Sequence, residues 1–101
     1  MPLFKKELLA KVLSGEKTQT RRTHKQEWTV GETYAVRDRY AKPQGHIIIL
    51  RKFRQRLAEI SDVDIKKEGF RTKDEFFEAW QLIYGALDLD AIVIVYEFKL
   101  V

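Results

Sequence analysis

Apolar positions recur every three or four residues near the start of the chain. Phe4, Leu8, Leu9, Val12 and Leu13 make one stripe, which predicts a helix over 3–14 with that stripe turned inward. Pro2 suits a first helical turn, and Gly15 follows where a left-handed residue commonly ends a helix. From Lys17 to Arg22 the residues alternate and include β-branched Thr18 and Thr20, which predicts a strand. A polar connection over 24–31 runs into Val30-Gly31-Glu32, read as a turn. Thr33 to Arg37 then reads as a second strand with Tyr34 and Val36 on one face.

Ala41 to Gly45, with Pro43 and Gly45, has loop chemistry. His46 to about Glu59 reads as a long strand, or as two strands with a bend near Arg54. Ser61 with Asp64 three residues on predicts a short helix. Thr72-Lys73-Asp74-Glu75 is a capping box that starts a longer one. In that helix Phe76, Phe77, Trp80, Ile83 and Tyr84 share a face, and Gly85 stops it. Residues 91–100 make the closing strand. Helix, strands, two helices and a last strand describe an α+β chain whose strands cannot all join by tight hairpins. A small barrel decorated with helices fits that order.

The 101 residues suffice for one domain, taken as 1–101, and carry no repeat, linker or low-complexity segment. With 45% hydrophobic and 34% charged residues, composition is that of a charge-rich globular protein. The absence of cysteine excludes disulfides, thiolate zinc sites and a cysteine nucleophile. No apolar run approaches a membrane span, and the start lacks a secretory pattern, so a soluble cytoplasmic protein is expected. The net charge of +4 favours a polyanionic partner. His24 and His46 are the only histidines and lie on different elements, so no metal site and no cofactor is expected.

The chemistry concentrates in Gly15-Glu16-Lys17-Thr18-Gln19-Thr20-Arg21-Arg22. It is similar to the tail of a phosphate-binding P-loop, but the upstream glycine is missing and a strand follows where a helix is needed. A better resemblance is to the ASCH family, whose signature runs Gly-x-Lys-Thr-x-Thr-x-Arg after an N-terminal helix. Gly15, Lys17, Thr18, Thr20 and Arg22 fill every position. The resemblance continues through Val30-Gly31-Glu32, Lys67-Glu68-Gly69-Phe70, the helix holding Phe76-Phe77 and Trp80, and the closing Val95-Tyr96-Glu97-Phe98.

This resemblance implies a PUA-like β-barrel of about five or six strands with a cleft, and an RNA-related function. Among the family's bacterial 4-acetylcytidine amidohydrolases the catalytic set is a lysine, a threonine and a glutamate. Those positions fall on Lys17, Thr20 and Glu68. The implied roles are Thr20 as nucleophile, Lys17 as base and Glu68 as proton donor. A threonine hydroxyl attacks only once a base takes its proton, and a lysine serves when burial or nearby positive charge lowers its pKa. Lys17 and Thr20 would face opposite sides of a straight strand, so the pairing requires Lys17 to lie in the turn before it. Arg21 and Arg22 point to opposite faces, leaving one for the cleft, which by the family pattern is Arg22. Singly, each residue also has an ordinary reading: a turn lysine, a strand threonine, a helix-end carboxylate.

Basic residues cluster at Arg21 to Lys25, at Arg37 and Arg39 around Asp38, and at Arg51, Lys52, Arg54 and Arg56. If their strands are neighbours, they form a stripe able to neutralise phosphates. Trp28, Tyr34 and Tyr40 lie in or near loops that could rim a cleft and stack bases. Phe76, Phe77, Trp80 and Tyr84 read as core.

The combined reading is an RNA- or nucleoside-binding domain, monomer or weak homodimer, with its site between Gly15–Arg22 and Glu68. Thr18, Arg21 and these basic and aromatic residues supply contacts. The alternatives are the 4-acetylcytidine amidohydrolase, a metal-independent ribonuclease using Lys17 and Glu68, and a non-catalytic module of a larger RNA complex.

Overall fold

A computed structural model of the chain describes residues 4–23, 27–38 and 42–101. Helix α1 (Lys6–Leu13) is followed by strands β1 (Gln19–Arg22), β2 (Thr33–Val36) and β3 (Gly45–Arg56). A 3-10 turn at Leu57–Glu59 leads to α2 (Asp62–Lys67), α3 (Lys73–Tyr84) and β4 (Ile92–Leu100). The helix ends follow local chemistry. Ser61 accepts a hydrogen bond from the Asp64 N–H and Thr72 accepts one from the Glu75 N–H. Gly85 closes α3 at φ +77°, a conformation that side chains resist.

All strand pairs are antiparallel, in the order β1-β4-β3-β2. Among the described residues the sheet has four strands where five or six were expected, and β1 and β2 remain edges, giving a half-barrel in place of a closed one. The count falls short because residues 45–56 form one strand: a bulge at Leu50, not a break near Arg54, bends it.

That bulge sets the layout. Ile49 pairs with Phe98 and Arg51 with Glu97, so Leu50 is inserted and the facing of every later β3 residue reverses. Ile47 and Ile49 therefore pack on one face of the sheet, and Phe53 on the other.

β4 runs between both layers, which is why its sequence is nearly all apolar. Ile94, Tyr96 and Phe98 join Phe4, Leu9, Val12 and Trp28 on the α1 face. Val93 and Val95 join Leu57, Ile60, Ile65, Phe76 and Trp80 on the α2–α3 face. Among the described residues no helix is long and apolar enough to cross a membrane.

Candidate functional site

The site forms at the open edge of β1, where the two layers meet. Lys17 precedes the strand, after Gly15 at φ +82° turns the chain out of α1. Its N–H donates to the Lys11 carbonyl and the Thr18 N–H to the Lys67 carbonyl, so the segment is tied to α1 and α2 together. Being outside the alternation of β1, Lys17 is free of the opposite-face constraint.

Its side chain is 2% exposed. Nζ donates to the carbonyls of Gln19 (2.9 Å) and Glu68 (2.7 Å) and to Glu68 Oε1 (2.9 Å). All three N–H bonds of an ammonium are thereby used. Burial pulls Lys17 below the ordinary lysine pKa; Glu68 opposes that, and Arg22 and Arg21 reinforce it.

Glu68 is 3% exposed and lies at the C-terminal end of α2. Its second oxygen accepts from Arg21 Nη1 at 2.8 Å, so one carboxyl bridges two cations. Arg21 is fully engaged on the α2–α3 face: Nη1 also donates to Gln19 Oε1, Nε to Gln55 Oε1 (2.9 Å) and Nη2 to Asp64 Oδ2 (3.3 Å). Burial works to raise the Asp64 carboxyl, but Ser61, Arg21 and Gln19 outweigh it and hold it below the usual range.

Thr20 and Arg22 project to the α1 face. Arg22 Nε donates to Thr20 Oγ1 at 3.2 Å, and its guanidinium lies 4.9 Å from the Phe4 ring centre and 5.0 Å from that of Trp28. Burial lowers the Arg22 pKa, with Tyr84, Glu68 and Tyr96 opposing. An arginine starts so high that it keeps its charge.

Around these groups opens a cleft of about 440 Å³. Lys17, Thr20, Arg21, Arg22 and Glu68 line it, with Phe4 from one layer and Phe70, Phe76, Trp80 and Tyr84 from the other. The volume falls in the range of small-molecule sites. The α3 aromatics were read as core only; Phe76 and Trp80 are core, and they also wall the cleft. Their stripe reaches on to Ile83 and Tyr84, both exposed, and that overreach is the sequence signal.

The remaining predicted contacts lie elsewhere. Trp28 is 8% exposed and packs against Tyr96 in the core, so it does not rim the cleft. Arg37 accepts the Phe4 N–H through its carbonyl. Arg39 and Tyr40 fall outside the described residues. The proposed stripe on β3 is split by the alternation of the strand, with the Leu50 bulge setting which face each half takes: Arg51 pairs with Glu97 on one face, while Lys52 and Arg54 pair with Glu27 on the other. None of the three lines the cleft. Among the described residues no cluster of histidine and acidic side chains is arranged to hold a metal ion.

Comparison with known proteins gives a family. A sequence model of the ASCH domain matches residues 2–101. The fold is similar to the crystal structure of an ASCH domain from Lactobacillus crispatus JV V101 (TM-score 0.81, 18% identity), covering 93% of this chain and 70% of that one. It is also similar to a protein from Enterococcus faecalis V583 (TM-score 0.74, 21% identity), covering 94% of this chain and 67% of that one. No curated protein matches the chain.

Proposed function

This chain belongs to the ASCH domain family, and we propose that its cleft binds a nucleobase, carried by a nucleoside or by single-stranded RNA. The observation behind this reading is the joining of two kinds of wall in one space: the rings of Phe4, Phe70, Phe76, Trp80 and Tyr84, and the cations Lys17, Arg21 and Arg22. Rings supply stacking surfaces that any base can use. Arg22 and the exposed Lys5 and Lys6 at the cleft supply positive charge toward a phosphate. Titration of the protein with cytidine, adenosine and short oligoribonucleotides, followed by calorimetry, tests it. Saturable binding that is lost in Trp80→Ala, a variant checked for folding by circular dichroism, supports the reading. Absence of binding by every ligand overturns it.

A second reading, 4-acetylcytidine deacylation, is favoured by one feature: the lowered pKa of Lys17 in the same cleft as Thr20. Thr20 Oγ1 already accepts from the Arg22 guanidinium, which stabilises negative charge growing on that oxygen. Both Glu68 oxygens accept from cations, so in this arrangement Glu68 positions Lys17 and Arg21. Release of cytidine from 4-acetylcytidine by the wild type, and not by Lys17→Ala or Thr20→Ala, is the result this reading requires. Equal conversion by wild type and both variants overturns it.

A further inference from the structure

The ladder between β1 and β4 leaves part of the cleft wall made of main chain. The Phe98 N–H donates to the Thr18 carbonyl, and the pairs Thr20–Tyr96 and Arg22–Ile94 follow at two-residue intervals. In an antiparallel ladder this phase makes Thr18, Thr20 and Arg22 the hydrogen-bonded positions. Gln19 and Arg21 therefore turn their N–H and C=O away from β4, toward the open edge. The Gln19 carbonyl is capped by Lys17 Nζ. Among the described residues, the outward N–H and C=O of Arg21 take part in no hydrogen bond.

Arg21 lines the cleft, and because its side chain is 0% exposed, the 3% exposure of the residue lies on its main chain. An N–H and a C=O without a protein partner are open to a ligand that accepts from the one and donates to the other. We propose that the outward main-chain N–H and C=O of Arg21 read the hydrogen-bonding edge of the base in the cleft. The ligand class is then a base with a free acceptor beside a free N–H donor, as cytosine presents at N3 and N4. A base whose edge is already paired in a duplex is excluded. This proposal rests on the nucleobase reading above and specifies how the base is held.

The same pair could start strand addition by an extended peptide. Two features favour the base. β1 has only four residues and its Gln19 carbonyl is already taken, so the edge offers one free pair at Arg21 in place of a row. The flanking surface is aromatic, formed by Phe76, Trp80 and Tyr84, which suits a flat ring placed edge-on to the strand.

The test is amide NMR of the 15N-labelled protein with cytidine, 3-deazacytidine and N4,N4-dimethylcytidine. The first analogue lacks the N3 acceptor and the second lacks the N4–H donor. The expected result is a downfield shift and slowed exchange of the Arg21 amide with cytidine, and at least fivefold weaker binding of both analogues. Cytidine binding with an unmoved Arg21 amide and equal affinity for the analogues overturns this proposal while leaving the nucleobase reading intact. Failure of all three to bind, alongside failure of adenosine and oligoribonucleotides, overturns both. An Arg21 shift caused by an extended peptide and not by cytidine overturns the base assignment.

Discussion

Lys17 and Glu68 meet twice, Nζ donating to the Glu68 carboxyl at 2.9 Å and to the Glu68 main-chain carbonyl at 2.7 Å. The double contact fixes the loop before β1 against the end of α2 across 51 positions of sequence. Because the carboxyl also holds Arg21, it is the counter-charge for two buried cations.

Substituting Glu68→Gln keeps the shape and removes that charge. One amide end must then face a cation it cannot accept from, and breaking a buried pair by removing one partner costs about 3–5 kcal/mol. The expected outcome in urea denaturation is a large fall in midpoint with an unchanged slope. A midpoint within error of the wild type would show that Lys17 and Arg21 do not depend on Glu68.

Lys17 itself should titrate below the ordinary lysine value, because burial disfavours its charged form more than Glu68 favours it. An unfolded lysine titrates near 10.4. Between the lower folded value and that point the unfolded chain binds more protons, so stability rises with pH across this window. Following the 13Cε resonances of labelled lysines, with Lys17→Arg to assign the signal, checks the direction. Lys17→Met should flatten the rise in stability. A Lys17 signal that titrates at the unfolded value would contradict the burial argument.

The helices, their caps and the last strand were legible because each rests on nearest-neighbour chemistry. Thr72 with Glu75, Ser61 with Asp64 and the apolar stripe of α1 are local rules obeyed locally. The Lys17–Thr20–Glu68 grouping was legible only through the family signature, since no spacing rule links positions 17 and 68. The Leu50 bulge was not legible. It follows from pairing both halves of β3 with β4, and it alone decides that Phe53 faces α2 and α3 while Lys52 and Arg54 face the other way. Phe76 and Trp80 are core, as their spacing predicts, but that spacing could not show that they also wall the cleft, since a ring beside an open sheet edge carries the same helical period as a ring in the core.

That division of the basic residues has a measurable consequence. Arg51→Ala and Arg54→Ala remove exposed charges paired with Glu97 and Glu27, contacts worth at most about 1 kcal/mol. Each should leave nucleoside affinity within about twofold, as expected for charges away from the site. Arg22→Lys keeps the charge but loses the planar group set over Phe4 and Trp28 and the Nε bond to Thr20. Affinity for cytidine should fall roughly tenfold, the about 1.4 kcal/mol that a guanidinium held in the cleft contributes against a base ring. The reverse ranking by calorimetry would move the binding surface from the cleft to β3.

Gly85 connects stability to the same cleft wall. At φ +77° it ends α3 one residue after Tyr84, and its N–H donates to the Gln81 carbonyl. No atom lies within 4 Å of where a Cβ would stand, so Gly85→Ala meets no neighbour and its whole cost is backbone strain. That cost is about 1 kcal/mol. The chain can relieve it by unwinding the last turn of α3, which carries Ile83 and Tyr84 into the cleft. Two effects should therefore appear together: a modest drop in Tm and faster amide exchange confined to the last turn of α3. A Tm drop with uniform exchange across the helix would place the strain elsewhere, and an unchanged Tm would show that Gly85 does not need its left-handed conformation.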